Sequence, residues 1–171
     1  LFAEKVEYFS FPTFDRLLRH KRRIRLLKSR LGHYWNNGFE IHLIGHSNGC
    51  KVILDAIRQL PELSIKRLDL ICAACEGDFE RNGLNERLTK GMLGSVHYYV
   101  GKRDWPLFFA DTFTAWLLFG YGRRPLGRCG ALNVDESIIP LVVRHDRDDL
   151  GHGGFFRGIE FERTMEMILG A

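Results

Sequence analysis

No stretch of the 171 residues is long and apolar enough to cross a bilayer, which takes about 20 consecutive apolar residues. The longest apolar stretches, 105–119 and 138–143, contain charge or proline or are too short. The opening residues, Leu1, Phe2, Ala3, Glu4 and Lys5, lack the basic segment and apolar core of a secretory leader. Cysteine is scarce: Cys50, Cys72, Cys75 and Cys129, with no second Cys-x-x-Cys to complete a zinc set. Cys72 and Cys75 sit in an apolar run that reads as a buried strand, where residues three apart face opposite ways, so a disulfide or shared metal is not expected there. Free buried thiols without a disulfide pattern suit a reducing, cytoplasmic setting. There is no internal repeat, low-complexity tract or linker, and 45% hydrophobic content is enough for a core, so residues 1–171 are expected to form a single domain.

What the chain does contain is an alternation of strand-like and helix-like segments. Residues 6–11 read as a strand stopped by Pro12. Residues 14–35 place Leu17, Ile24, Leu27, Leu31 and Tyr34 near the helical period with basic residues between them, a surface helix closed by Asn36, Asn37 and Gly38. Strands are expected at 41–44, 68–74, 95–100 and 138–143, with helices at 48–60, 84–92, 105–119 and 159–169. Pro106 falls in the first turn of its helix, where it is tolerated. Residues 120–130 read as a basic, glycine-rich connection. Such alternation predicts an α/β fold, a three-layer α/β/α sandwich around a mostly parallel sheet.

The segment with the most chemical content is Gly45, His46, Ser47, Asn48, Gly49, a Gly-x-Ser-x-Gly frame between the strand at 41–44 and the helix from 48. A sharp strand-to-helix turn forces the serine into a strained backbone conformation, and the flanking glycines Gly45 and Gly49 are expected to remove side chains that would collide there. Ser47 would stand at a helix N-terminus, where backbone N–H groups, that of Asn48 first, suit an oxyanion. A serine hydroxyl needs a base and an orienting acid. Asp104 follows the strand at 95–100 through Gly101, Lys102 and Arg103, and His152 stands in the glycine-rich loop Gly151, His152, Gly153, Gly154, Phe155, Phe156. Asp78, Asp146, Asp148 and Asp149 are rival acids, and His145 is the rival base. His46 is expected to shape the turn or pocket, and His42 and His97 to be ordinary sheet-face histidines.

This order of serine, acid and histidine, with the motifs at 45–49, 101–104 and 151–156, resembles the α/β-hydrolase family of serine hydrolases, esterases and lipases among them, over most of the chain. The resemblance implies Ser47 as nucleophile, Asp104 as orienting acid, His152 as general base and acid, and the Asn48 N–H as one oxyanion donor. It implies a small-molecule ester-type substrate, or an amide or thioester, and no metal or organic cofactor. In that family about three strands precede the nucleophile strand, and a His-Gly loop supplies the second oxyanion donor. About forty residues precede 41 here without such a loop, so an N-terminally truncated or reduced version of the fold is expected.

Two other functions remain compatible with the sequence. One is a catalytically silent hydrolase-like binding domain. The other is a nucleic-acid or anionic-surface binder built on Arg16, Arg19, His20, Lys21, Arg22, Arg23, Arg25, Lys28 and Arg30 in a chain of formal charge +4. A solvated helix face explains that run equally, and no aromatic interleaving accompanies it, so nucleic acid is not expected as a partner. Residues 76–94 are expected above the strand ends, near a substrate pocket. Trp105, Phe108, Phe109 and Trp116 are expected to pack on the sheet rather than line an acyl pocket. Oligomeric state is left open.

Overall fold

The computed structural model describes residues 16–105, 107 and 124–169. Its elements are α1 (Arg16–Asn36), β1 (His42–His46), α2 (Asn48–Arg58), β2 (Ile65–Ile71), α3 (Leu84–Thr89), β3 (Leu93–Gly101), α4 (Leu126–Cys129), β4 (Val142–Arg147) and α5 (Ile159–Leu169). Two 3₁₀ turns, Glu136–Leu141 and Gly154–Phe156, flank β4. The strands form one sheet in the order β1-β2-β3-β4, every pair parallel. The protein is therefore α/β, as the alternation predicts. Parallel pairing requires each connection to return the chain to the same edge of the sheet, so the C-terminal ends of all four strands gather on one side. The strand expected at 6–11 and most of the helix expected at 105–119 lie outside the described residues. No helix among the described residues is long and apolar enough to cross a membrane.

Alternation along the strands gives the sheet two different faces. Leu68, Leu70, Val96, Tyr98 and Val100 join Leu31 of α1 and Cys50, Ile53, Leu54 and Ile57 of α2 in the main core. The opposite face buries Ile71 and Tyr99 with Phe155, Leu150, Leu107 and Ile168 of α5. On α1, Ile24 and Leu31 face inward as the spacing predicts, while Lys21, Arg22, Arg25 and Arg30 are exposed. Arg23 departs from the solvated run: it is buried, 7% exposed. The helix stops where Asn37 bonds back to the His33 carbonyl through both its backbone N–H and its side-chain amide.

Several boundaries differ from the sequence expectation, each for a local reason. β2 begins earlier and ends at Ile71, because Cys72 turns out of the strand with φ +45°. Residues 72–75 are buried because α4 lies against them. A side chain at Gly127 would come within 2.3 Å of the Ala73 nitrogen, so only glycine permits that approach. This short helix occupies what reads as a featureless connection. The apolar run 138–143 is not a strand throughout. Asp135 accepts hydrogen bonds from the backbone N–H and hydroxyl of Ser137 and starts a 3₁₀ turn containing Pro140, and pairing begins only at Val142. Residues 84–92 are not above the strand ends. The Arg87 guanidinium donates to the carbonyls of Ile57, Leu60 and Leu63 and so caps the C-terminal end of α2, the far end from Ser47.

The second sheet face carries a buried polar network. Asp69, fully buried, accepts two bonds from Arg67 (2.9 and 3.0 Å), one from Tyr99 Oη (2.8 Å) and pairs with His42 Nε2 at 2.6 Å. His97 and His145 meet beside it at 3.1 Å, and His145 stacks on Tyr99. Burial alone would raise the Asp69 carboxyl, but the hydrogen bonds from His42, Arg67 and Tyr99 outweigh it and hold the carboxyl below its usual value. Asp69→Ala should destabilise the protein by about 3–5 kcal/mol in urea unfolding, because it strands a buried guanidinium. A carboxyl with a lowered folded value contributes above its unfolded value. The gap between wild type and variant should therefore be full above about pH 4 and shrink as pH falls below it.

Candidate active site

The turn from β1 to α2 decides the geometry of the site. Ser47 ends the strand and caps the helix with φ 52° and ψ −122°, a region that L-residues occupy at a cost of roughly 1–3 kcal/mol. Three backbone hydrogen bonds hold it there. Its N–H donates to the Ile71 carbonyl at the end of β2 (2.9 Å), and its own carbonyl accepts from Cys50 and Ala74 (3.2 Å each). Gly45 is required by close packing: a side chain there would meet Ile53 at 2.9 Å and the backbone of Cys50 at 3.1 Å. Gly49 is a correction. Nothing lies within 4 Å of where its side chain would stand, so no collision demands glycine at that position. The serine side chain makes no capping bond to α2. Its hydroxyl is directed elsewhere, and the Asn48 N–H remains among the α2 N-terminal groups that have no intrahelical acceptor.

The partner of that hydroxyl is His152, whose Nε2 lies 2.8 Å from Ser47 Oγ. On the other side of the ring, Nδ1 lies 2.8 Å from Asp104 Oδ2. Asp104 is 3% exposed, and its second oxygen accepts the Leu107 N–H at 2.9 Å, which fixes the carboxylate plane. Each residue stands just past the C-terminal end of a different strand: Ser47 after β1, Asp104 after β3, His152 after β4. The His152 loop is anchored by Phe155, fully buried against Ile71, Tyr99 and Leu107, and by the Leu150 carbonyl, which accepts the Arg103 N–H.

No family model, curated protein or solved structure matches this chain. The site is therefore judged on its geometry.

The rival acids and base are engaged elsewhere. Asp78 accepts from the Arg81 N–H and the Asn133 amide. Asp146 pairs with Arg144, Asp148 with Lys102 and Asp149 with Arg147. His145 lies within β4, in the network around Asp69. His46 is more closely involved than its place in the motif suggests. Its Nε2 donates to the His152 carbonyl (2.8 Å), and its ring packs at 4.8 Å against both His152 and Phe156. Burial lowers its pKa below the usual imidazole value, which favours the neutral ring. Trp105 does not pack on the sheet: it is 64% exposed beside Asp104. Phe108, Phe109 and Trp116 lie outside the described residues.

Cys72 was not among the sequence candidates. It is fully buried at the end of β2, and burial followed by the neighbouring Asp104 carboxylate pushes its thiol well above the usual value. The signal in the sequence was its position: a strand expected next to that of the Gly-x-Ser-x-Gly frame ends just before Cys72, beside Ser47. Cys75 is likewise pushed up, to about 12, by burial, and Cys50, Cys72 and Cys75 are free thiols. The ligating atoms of His46, Cys72 and His152 lie within 4.8 Å of one another, the one such group among the described residues. A cleft of about 530 Å³ lined by Trp35, Phe39, Ser64 and Lys66 lies at the opposite end of the sheet and holds none of these groups.

The strained turn can be tested without any substrate. Ser47→Gly should be about 1 kcal/mol more stable than Ser47→Ala in thermal unfolding, because glycine occupies this backbone region freely whereas alanine retains the strain. Equal stabilities would show that the turn stores no strain.

Proposed function

We propose that this chain is an α/β-hydrolase-like serine hydrolase that cleaves a carboxylic ester through an acyl-enzyme. The observation that carries the reading is the continuous relay from Ser47 Oγ through both nitrogens of His152 to a buried Asp104, each link 2.8 Å long. A buried carboxylate on Nδ1 keeps the proton there and leaves the Nε2 lone pair facing the serine, which is the tautomer a general base needs. The order of the three residues in the chain, and their places past the C-terminal ends of the parallel strands β1, β3 and β4, support the hydrolase-like reading.

In the first half-reaction Ser47 Oγ attacks the acyl carbon while His152 Nε2 takes its proton, and the electron pair of the carbonyl moves onto oxygen. That oxyanion is met by the Asn48 N–H and the positive end of the α2 dipole. Collapse of the tetrahedral species expels the alkoxide, which leaves as the alcohol with the proton from His152. Water repeats the sequence: His152 accepts its proton, hydroxide oxygen bonds to the acyl carbon, and Ser47 departs with the proton returned. Nucleophile, base and orienting acid are all side chains of this chain, so the steps as written need no metal or organic cofactor.

A fluorophosphonate probe tests the reading directly. Wild type should be labelled at Ser47, identified by mass spectrometry of the modified peptide, and Ser47→Ala and His152→Ala should not be. Asp104→Asn should lower ester turnover by roughly 10⁴, the cost of the wrong imidazole tautomer. A folded wild type that takes no label would favour the silent binding domain instead.

A further inference from the structure

We propose that His46, Cys72 and His152 form a binding site for a thiophilic divalent cation, Zn²⁺ foremost, and that occupation of this site and turnover at Ser47 exclude one another. The effect on turnover rests on the hydrolase reading above, whereas the binding itself does not.

The donor set is the first argument. Two imidazoles and a thiol are soft and borderline ligands of the kind zinc selects, with bonds of about 2.0–2.1 Å to nitrogen and about 2.3 Å to sulfur. Around one tetrahedral ion such atoms stand roughly 3.3–3.6 Å apart. Here they already lie within 4.8 Å of one another, so contraction by about 1 Å closes the site. The second argument is placement. His46 ends β1 and Cys72 follows β2, adjacent parallel strands in register at His46 and Ile71, and the Cys72 N–H is tied to the Tyr99 carbonyl. The sheet thus brings two of the ligands together before any ion arrives. His152, on the loop after β4, brings the third ligand to the same edge of the sheet.

The other histidines lack this combination. His42 is held by Asp69, and the His97–His145 pair has no third ligand among the described residues. His46 uses Nε2 to donate to the His152 carbonyl, which leaves the Nδ1 lone pair as an electron-pair donor. His46 and His152 are part-exposed and open a route from solvent, while Cys72 forms the floor. On binding, the Cys72 thiol releases its proton to solvent, and each ligand gives a lone pair to the ion. Nothing is oxidised or reduced. Asp104 lies against Cys72 and is bonded to His152, and solvent supplies the remaining position of a tetrahedral ion.

The conflict with turnover follows from His152 having two nitrogens, both in use. An ion on Nε2 displaces Ser47, and an ion on Nδ1 displaces Asp104. Either removes an essential link of the relay.

Cobalt(II) provides the test, because a thiolate ligand gives it an intense near-ultraviolet charge-transfer absorption that does not depend on turnover. Titration of the folded wild-type protein with Co²⁺ alone should produce that band at one ion per chain. The band should be absent in Cys72→Ala, retained in Cys129→Ala, and abolished by excess Zn²⁺. Zn²⁺ should inhibit hydrolysis of an activated ester reversibly, with EDTA restoring the rate. Cys72→Ala and His46→Gln should each raise the inhibiting concentration roughly 100-fold, since even outer-shell losses cost ten- to a hundredfold. Each variant is compared with its own metal-free rate, and His46→Gln decides the matter if Cys72→Ala does not fold. No thiolate band in wild type, a band that survives Cys72→Ala, or unchanged Zn²⁺ sensitivity in a folded variant would overturn the proposal. A cobalt band in a protein with no esterase activity would leave the site standing and sink the hydrolase reading instead.

Discussion

The candidate site depends on the backbone of one residue. Ser47 sits in a conformation that its own side chain disfavours, and it stays there because β2 and α2 hold it from both sides. The bond from its N–H to the Ile71 carbonyl extends the parallel pairing of β1 and β2 by one step. The bonds from Cys50 and Ala74 to its carbonyl then tie the start of α2 and the segment after β2 to the same peptide. Strain of this kind persists only where the surroundings over-determine it. Here those surroundings are tightly buried: Cys50, Ala56 and Ile57 of α2 and Leu68 and Leu70 of β2 have no exposed surface.

Once that turn is placed, the parallel sheet does the rest. Asp104 and His152 follow β3 and β4, and the common direction of the strands brings their ends to the same edge as Ser47. Neither residue is held by regular structure. Asp104 is fixed by the Gly101 carbonyl and the Leu107 N–H, and the His152 loop by buried Phe155. The pattern is a rigid sheet carrying the side chains of the candidate site on short, anchored loops. His46 joins the two parts, since it belongs to β1 but bonds to the carbonyl of His152.

The two sheet faces meet different physical demands. One is apolar and packs on α1 and α2. The other carries Arg67, Asp69 and Tyr99 in its interior, with three histidines around them. Burying a carboxylate is costly unless its lone pairs are occupied, and the four hydrogen bonds to Asp69 meet that condition. A network satisfied in this way specifies register more sharply than an apolar face would. A slip of β2 by one residue would carry Asp69 to the opposite face, away from Tyr99 and His42.

The amino-acid sequence by itself determined the alternation of elements, the α/β class with its parallel sheet, and the short list of candidate site residues. These are local properties: hydrophobic period, turn chemistry at Asn36–Gly38, and the glycine frame around Ser47 can all be read from neighbours in the chain. It also left Asp104 among several aspartates and His152 beside His145, because chain order does not say which loop reaches the serine. Tertiary structure made those choices, through two contacts that span 48 and 105 residues. It alone placed Cys72 under the site, turned Arg23 inward, put Arg87 on the end of α2, and split the run at 138–143 between a 3₁₀ turn and β4. Each of these depends on which strand lies beside which, and sequence periodicity carries no record of that.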